Sequence, residues 1–359
     1  MTTTDASTID QHALEAFQQR TVGRFVDAGV TLMIDLGHKT GLFEAAAQGR
    51  ATSEELAARA GLSERHVREW LGAVTTAGIM HLDPDTGRHV LPPEHAALLT
   101  GDTATNLATI APLVAHLAGF VEDVAEAFRT GGGVHHQRYR PGFTSAMDEI
   151  GRRRYDAKLL DAYLPLADGL VDALDAGTRV ADVGCGTGHC LNLMARRFPG
   201  STFVGYDLAA DAIDRGRAEA ADWGLTNVAF EVLDVLRLPT EPPFGAVFAF
   251  DAIHDQVDPA GVLARVHDAL VPGGTFFMCD IKASSNLEDN IANPLTPLLY
   301  SISTLHCMEI SLAGGGAALG TVWGEQVASR LLEEAGFTGL AIHEVEHDPF
   351  NVVYTCRRP

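Results

Sequence analysis

The sequence predicts an α/β protein, a doubly wound, mostly parallel sheet of seven strands behind an N-terminal all-helical domain that carries one small hairpin. Three observations carry that expectation. From residue 178 onward, apolar runs of strand length alternate with helical patterns. The first of these runs ends in a glycine-rich turn, "VADVGCGTGHC", residues 180–190. Residues 10–100 read as helices followed by a hairpin.

Taken in order, residues 10–48 place Phe25, Val26, Val30, Met33, Ile34, Leu36, Leu42 and Phe43 at helical spacing. Thr52 with Glu55 is a capping-box pattern and Gly61 a stop signal. Ser63 to Ile79 supplies the next helix, and "MHLDPDTGRHVLP" has two short extended pieces around Asp-Pro-Asp-Thr-Gly. Helix, turn, helix, hairpin is the winged-helix order, whose second helix normally enters the DNA major groove. Here Arg65 and Arg68 are offset by Glu64 and Glu69, and the wing has no basic cluster. Residues 1–100 are therefore expected to dimerise and cover a substrate. A ligand-sensing transcription factor is the reading from another class.

Residues 101–174 read as a helical linker interrupted by "GGGVHHQRYRPGF". His135, His136, Arg138, Tyr139 and Arg140 there make either a mobile binding loop or a solvated linker. Extended segments are then expected at 178–184, 202–207, 228–233, 245–250, 274–281, 338–346 and 350–357, the last two as a hairpin. Residues 175–359 form the third region, with an insert at 284–320.

Composition narrows the function classes. A chain of 359 residues, 46% hydrophobic and 20% charged, is long enough for two domains and can bury a full core. Its formal charge of −21, from 47 acidic and 26 basic side chains, opposes attraction to nucleic acid or anionic membranes. The N-terminal residues do not resemble a signal peptide, and no run approaches the roughly 18–20 apolar residues of a membrane span. Five cysteines without a C-x-x-C pair suit a reducing compartment. The expectation is a cytoplasmic protein with neither nucleic acid nor membrane as partner.

Glycine accepts positive φ and holds no Cβ against a ligand, so a glycine-rich strand-to-helix turn exposes backbone where a ligand can approach. The spacing Asp182-x-Gly184-x-Gly186-x-Gly188 is not the G-x-G-x-x-G of dinucleotide binders. The next strand ends in Asp207, whose carboxylate can accept both ribose hydroxyls of an adenosine ligand. The one after ends near Asp234, positioned for an adenine amino group, with Val235 flanking the ring. Each Asp alone also reads as an ordinary turn residue. Their order on successive strands is what is specific.

With "FDAIHD" and "ALVPGGTFFMCD" added, the sequence resembles the class I S-adenosylmethionine-dependent methyltransferases over about residues 175–358. The winged helix in front is similar to that of the small-molecule O-methyltransferases, and "GGGV" and "TLHCMEISLAGGGAALGTVWG" resemble an actinobacterial-type group of them. The resemblance implies a Rossmann-like sheet, S-adenosyl-L-methionine as cofactor, a small-molecule acceptor and a homodimer. It places Asp182, Gly184, Cys185, Gly186 and Gly188 at the methionine part, Asp207 and Leu208 at the ribose, Asp234 and Val235 at the adenine, and Phe250 and Asp251 beside the methyl. His254 and Asp255 fall where plant-type enzymes keep their general base.

In-line methyl transfer requires alignment of the acceptor and removal of a proton, work suited to an imidazole. His254 reads as that base, on a hydroxyl, or as a helix cap. A small thiol or an amine is the rival acceptor, a thiol because it ionises near pH 8.5 and depends less on a base. Gln256 stands where the family pattern has Trp. In the insert, His306, Met308 and Glu309 either roof the site or belong to a buried structural helix, and with His135, His136, Tyr139 and Trp323 they are the acceptor-binding candidates. No metal is assigned. Magnesium-assisted methylation could use Asp251 and Asp255 but lacks the usual lysine, the cysteines lack the spacing of arsenic methylation, and His135-His136 lacks further zinc ligands.

Overall fold

A computed structural model describes residues 9–346 and 348–359. They divide into two compact units between Ala115 and His116, and residues 116–174 pack within the second.

The first unit begins with α1, Gln11–Lys39, whose N-terminus is capped by the Asp10 carboxylate accepting from the His12 and Ala13 amides. Few of its side chains are covered, and Leu14, Phe17, Val22, Phe25 and Val26 are exposed. Thr52 and Glu55 form a reciprocal capping box at the start of α2, Ser53–Ala60, and Gly61 ends it at φ +68. The amphipathic α3, Glu64–Thr76, buries Val67, Trp70, Leu71 and Val74 in a core with Phe43 and Leu56. β1, His81–Asp83, and β2, Arg88–Val90, pair antiparallel as the expected wing.

In the second unit the strands are β3 (Arg179–Val183), β4 (Thr202–Asp207), β5 (Val228–Val232), β6 (Phe244–Phe250), β7 (Leu270–Ile281), β8 (Thr338–Glu344) and β9 (Asn351–Arg357). They form one sheet in the order β5-β4-β3-β6-β7-β9-β8, with β9 antiparallel to both neighbours. The order reverses at β3, which lies between β4 and β6. In such sheets the crevice beyond the carboxyl ends at the reversal is where ligands bind. The glycine turn follows β3 there.

Two helical regions complete the crevice. The segment after the three glycines is not a solvated linker: His136–Tyr139 forms a short helical turn, α4, and Tyr139 is fully buried with its carbonyl bonded to the His116 ring. α5, Gly142–Lys158, follows. The insert is helical through Thr296–Ile302, a π-turn at Ser303–Cys307, and α6, Met308–Ala313.

Candidate active site

Past β3, Gly184, Gly186 and Gly188 all take left-handed φ values, +72, +55 and +71. A Cβ on Gly184 would run into Ala252, and one on Gly188 into the ring of Phe230, whereas one on Gly186 would meet nothing within 4 Å. Gly188 is thus a packing glycine, and Gly186 faces open space. The turn is stitched to β4: the amides of Gly184 and Cys185 donate to the Tyr206 carbonyl, and the Gly186 amide donates to Asp207 Oδ2 at 2.8 Å. Asp207 Oδ1 accepts from the Ala209 amide at 2.8 Å, while Leu208 between them is exposed.

Asp182 lies beneath this turn, 1% exposed, with Oδ1 lacking any hydrogen-bond partner. Burial, and then the charge of Asp207, push its carboxyl up to about 8. An unsatisfied buried carboxyl oxygen costs about 1–3 kcal/mol until a donor reaches it. That orphaned atom, the open side of Gly186 and the Asp207 carboxylate suit the ammonium and ribose of an S-adenosylmethionine-type ligand. Cys185, beside them, is half-buried, and desolvation pushes its thiol well up. Asp234 spends one oxygen capping Val235–Arg237. Val235, expected at the adenine ring, turns instead into the core at 5% exposure.

The fourth strand of the crevice, β6, delivers the second half. Phe250 packs against Tyr155 of α5, ring centroids 5.2 Å apart. Asp251 has φ +50, a conformation that costs a non-glycine residue about 1–3 kcal/mol and clusters at functional sites. Its carboxylate is held by Arg154 at 3.2 Å and by Asn351.

His254 is 3% exposed, and its Nδ1 lies 2.7 Å from Asp280 Oδ1. Asp280 is fully buried, and the same oxygen accepts from the Ile281 amide at 2.7 Å and the Trp323 indole at 3.1 Å. Nε2 lies 3.3 Å from Asp255 Oδ1, and Cys307 Sγ joins this group within 4.8 Å. Burial lowers the imidazole's proton affinity, but Asp280 and then Asp255 more than reverse this and hold it well above the ordinary histidine value. Asp280 therefore orients the ring, a role the sequence reading did not assign. Trp323 is corrected as well: it is 3% exposed and braces Asp280 from within the core. Gln256, in place of Trp, donates to the Ala252 carbonyl, and its own carbonyl receives Ser311 Oγ from the insert.

Of the acceptor candidates, the structure gathers His136, Tyr139 and His306. His306 is fully buried, stacked on Phe143 of α5 at 3.4 Å, with Tyr139 at 4.7 Å and His136 at 6.2 Å between ring centroids. Burial, then His136, pull its imidazole well below the usual value. Glu309 is buried, and that burial raises its carboxyl. Met308 is half-buried, and His135 is exposed, apart from the group.

A family model described as a methyltransferase domain matches residues 174–336, and one described as an Rv2258c-like winged HTH domain matches residues 28–101. Residues 174–336 thus carry a methyltransferase domain, and the solved structures similar to the chain share its fold. Among similar proteins, aklanonic acid methyltransferase DauC of Streptomyces sp. (strain C5) is 32% identical to this methyltransferase over 145 residues, 38% of this chain and 63% of that protein. The chain spans about half to two-thirds of the length of the curated relatives it matches first. Mitomycin 7-O-methyltransferase MmcR shares the fold at a TM-score of 0.69 and 19% identity, covering 96% of this chain and 99% of its own. Human N-acetylserotonin methyltransferase in complex with SAM does so at 0.69 and 16% identity, covering 98% and 99%.

Proposed function

We propose that this methyltransferase transfers the methyl of S-adenosylmethionine to a hydroxyl of a small molecule, with His254 taking the hydroxyl proton. The observation that carries the reading is the pairing of two half-sites across the crevice: the Asp182–Gly186–Asp207 cradle, and an imidazole oriented by a buried carboxylate. Bound there, the cofactor supplies an electrophilic methyl on a sulfonium. Asp182 neutralises the ligand's ammonium, and Asp207 fixes its ribose while keeping the glycine turn closed. Asp280 holds Nδ1–H, and the ring, whose Nε2 proton is held by the charges of Asp280 and Asp255, must first lose that proton before Nε2 can take the acceptor's as its oxygen attacks the methyl. The Tyr139–Phe143–His306 wall keeps water out. The names of DauC, an aklanonic acid methyltransferase, and MmcR, a mitomycin 7-O-methyltransferase, support a small-molecule acceptor.

The finer statements belong to the same proposal. The apolar side chains exposed along α1, and an apolar cavity of about 720 Å³ lined by Met33, Leu36, Leu62, Val67 and Trp70, support a homodimer through residues 1–100. The ion pairs Arg65–Glu69 and Arg68–Glu64 on α3 support a protein without nucleic acid as partner. Among the described residues no single helix is long and apolar enough to cross a membrane. With the acidic charge, that supports a cytoplasmic location without a membrane partner.

The test is isotope transfer from methyl-labelled S-adenosylmethionine to parallel sets of phenols, alcohols and thiols. Methyl ethers made by the wild type and lost with His254→Ala are expected. Thioether products formed equally by His254→Ala would overturn the hydroxyl assignment.

A further inference from the structure

His254, Asp255 and Cys307 bring three different metal-binding atoms within 4.8 Å of one another, and among the described residues they are the one group of three or more His, Cys, Asp and Glu to do so. Several features distinguish the group from an ordinary ion pair. The Nε2–Oδ1 separation of 3.3 Å is longer than the roughly 2.7–2.9 Å of a charge-assisted hydrogen bond. Asp255 Oδ1 is buried and makes no hydrogen bond. The same separation is what a tetrahedral ion needs, because two ligands at about 2.0–2.1 Å subtend an edge of about 3.3–3.4 Å. The separation thus fits two ligands of one shared ion.

The surroundings are those of a metal-binding histidine. Its other ring nitrogen is bonded to Asp280, which is itself fixed by the Trp323 indole and the Ile281 amide. A carboxylate behind a histidine ligand sets the ring's tautomer and orientation. His254 and Cys307 are buried, and Asp255, although partly accessible as a residue, keeps its Oδ1 buried among them.

We propose that His254 Nε2, Asp255 Oδ1 and Cys307 Sγ bind one divalent cation of the zinc class, with the fourth position open to the acceptor. Sulfur, imidazole and carboxylate together select zinc-like ions over magnesium or calcium, which take oxygen ligands. The ion displaces the thiol proton of Cys307 and any proton on Nε2 to solvent. An acceptor hydroxyl or thiol then binds as its anion, releases its proton to solvent, and attacks the methyl while the carbon–sulfur pair returns to sulfur. In that form His254 is a ligand rather than a base. The ion's part in transfer rests on the methyltransferase reading, whereas its binding rests on the geometry alone.

Untagged protein stripped with a chelator would be titrated with Zn²⁺ by calorimetry and with Co²⁺ by absorbance. One ion per chain is expected, with a thiolate-to-cobalt charge-transfer band. Cys307→Ser should abolish that band, and Asp280→Asn should weaken Zn²⁺ binding by about 10–100-fold. Both variants should keep wild-type affinity for S-adenosylhomocysteine, which also shows that they fold. Absence of saturable one-to-one binding, or a cobalt spectrum unchanged in Cys307→Ser, overturns the metal site. S-adenosylhomocysteine binding without metal binding sinks this proposal alone. Metal binding without S-adenosylhomocysteine binding leaves the metal site standing and sinks the cofactor assignment.

Discussion

The two halves of the crevice are built differently. The proposed cofactor half comes from the carboxyl ends of β3, β4 and β5, with groups that follow one another along the chain, Asp182, Gly186, Asp207 and Asp234, of which Asp207 and Asp234 are tied by backbone amides. The acceptor half joins side chains from distant segments, Tyr139, His254, Asp280, His306 and Trp323, mostly through side-chain contacts. A half tied by its own backbone can be recognised and perturbed one residue at a time. A half tied by side chains responds as a group.

The sharpest way to break that comparison is His254→Ala. If the halves are separable, kcat should fall by about 10²–10⁴ while S-adenosylhomocysteine affinity stays within twofold, as read by steady-state kinetics and calorimetry. Comparable losses in both would mean the division is wrong.

Next in size is Asp207→Ala, which removes a predicted ribose contact and the clamp on the Gly186 amide. A loss of about 1.5–3 kcal/mol in S-adenosylmethionine affinity is expected. Unchanged affinity in a folded variant would remove Asp207 from the site.

The third test uses pH. With its carboxyl raised to about 8, Asp182 is mostly protonated in the free protein at neutral pH. The ligand's ammonium favours the ionised form, so binding releases a proton below pH 8 and affinity drops by up to about tenfold per pH unit as pH falls. Above pH 8 the release vanishes. Calorimetry in buffers of different ionisation enthalpy measures it, and Asp182→Asn should flatten the profile.

The smallest effect is expected from Trp323→Phe, which keeps the packing but removes a donor from Asp280. A kcat loss of about 0.5–1.5 kcal/mol with unaltered cofactor affinity would show that the indole positions the dyad. A change in cofactor affinity alone would argue that Trp323 serves the sheet.

The same difference governs what could be read from the sequence. The strand positions, the capping box at Thr52 and the glycine turn are written in local patterns, and the structure has them where expected. His254 was located by resemblance, but its partner Asp280 was not. An aspartate closing β7 looks like any strand-end aspartate until β6 and β7 are known to be neighbours. Placing strands five and four side by side would have supplied that signal. The partners of Asp251, Arg154 and Asn351, lie 97 and 100 residues away and leave no local trace. Trp323 and Val235 were placed by position along the chain, and packing turned both into the core.

One helix touches both halves. α5 binds the glycine turn through Asp148 and Thr187, supports the β6 end through Arg154 and Asp251, and stacks Phe143 on His306. A shift of α5 on binding one ligand would therefore alter the seat of the other. Were binding to stiffen the helix, the first ligand would bear that entropy and the second would meet it already ordered. Thermodynamic linkage would then make the effect mutual: the acceptor would tighten the cofactor by the same factor by which the cofactor tightens the acceptor.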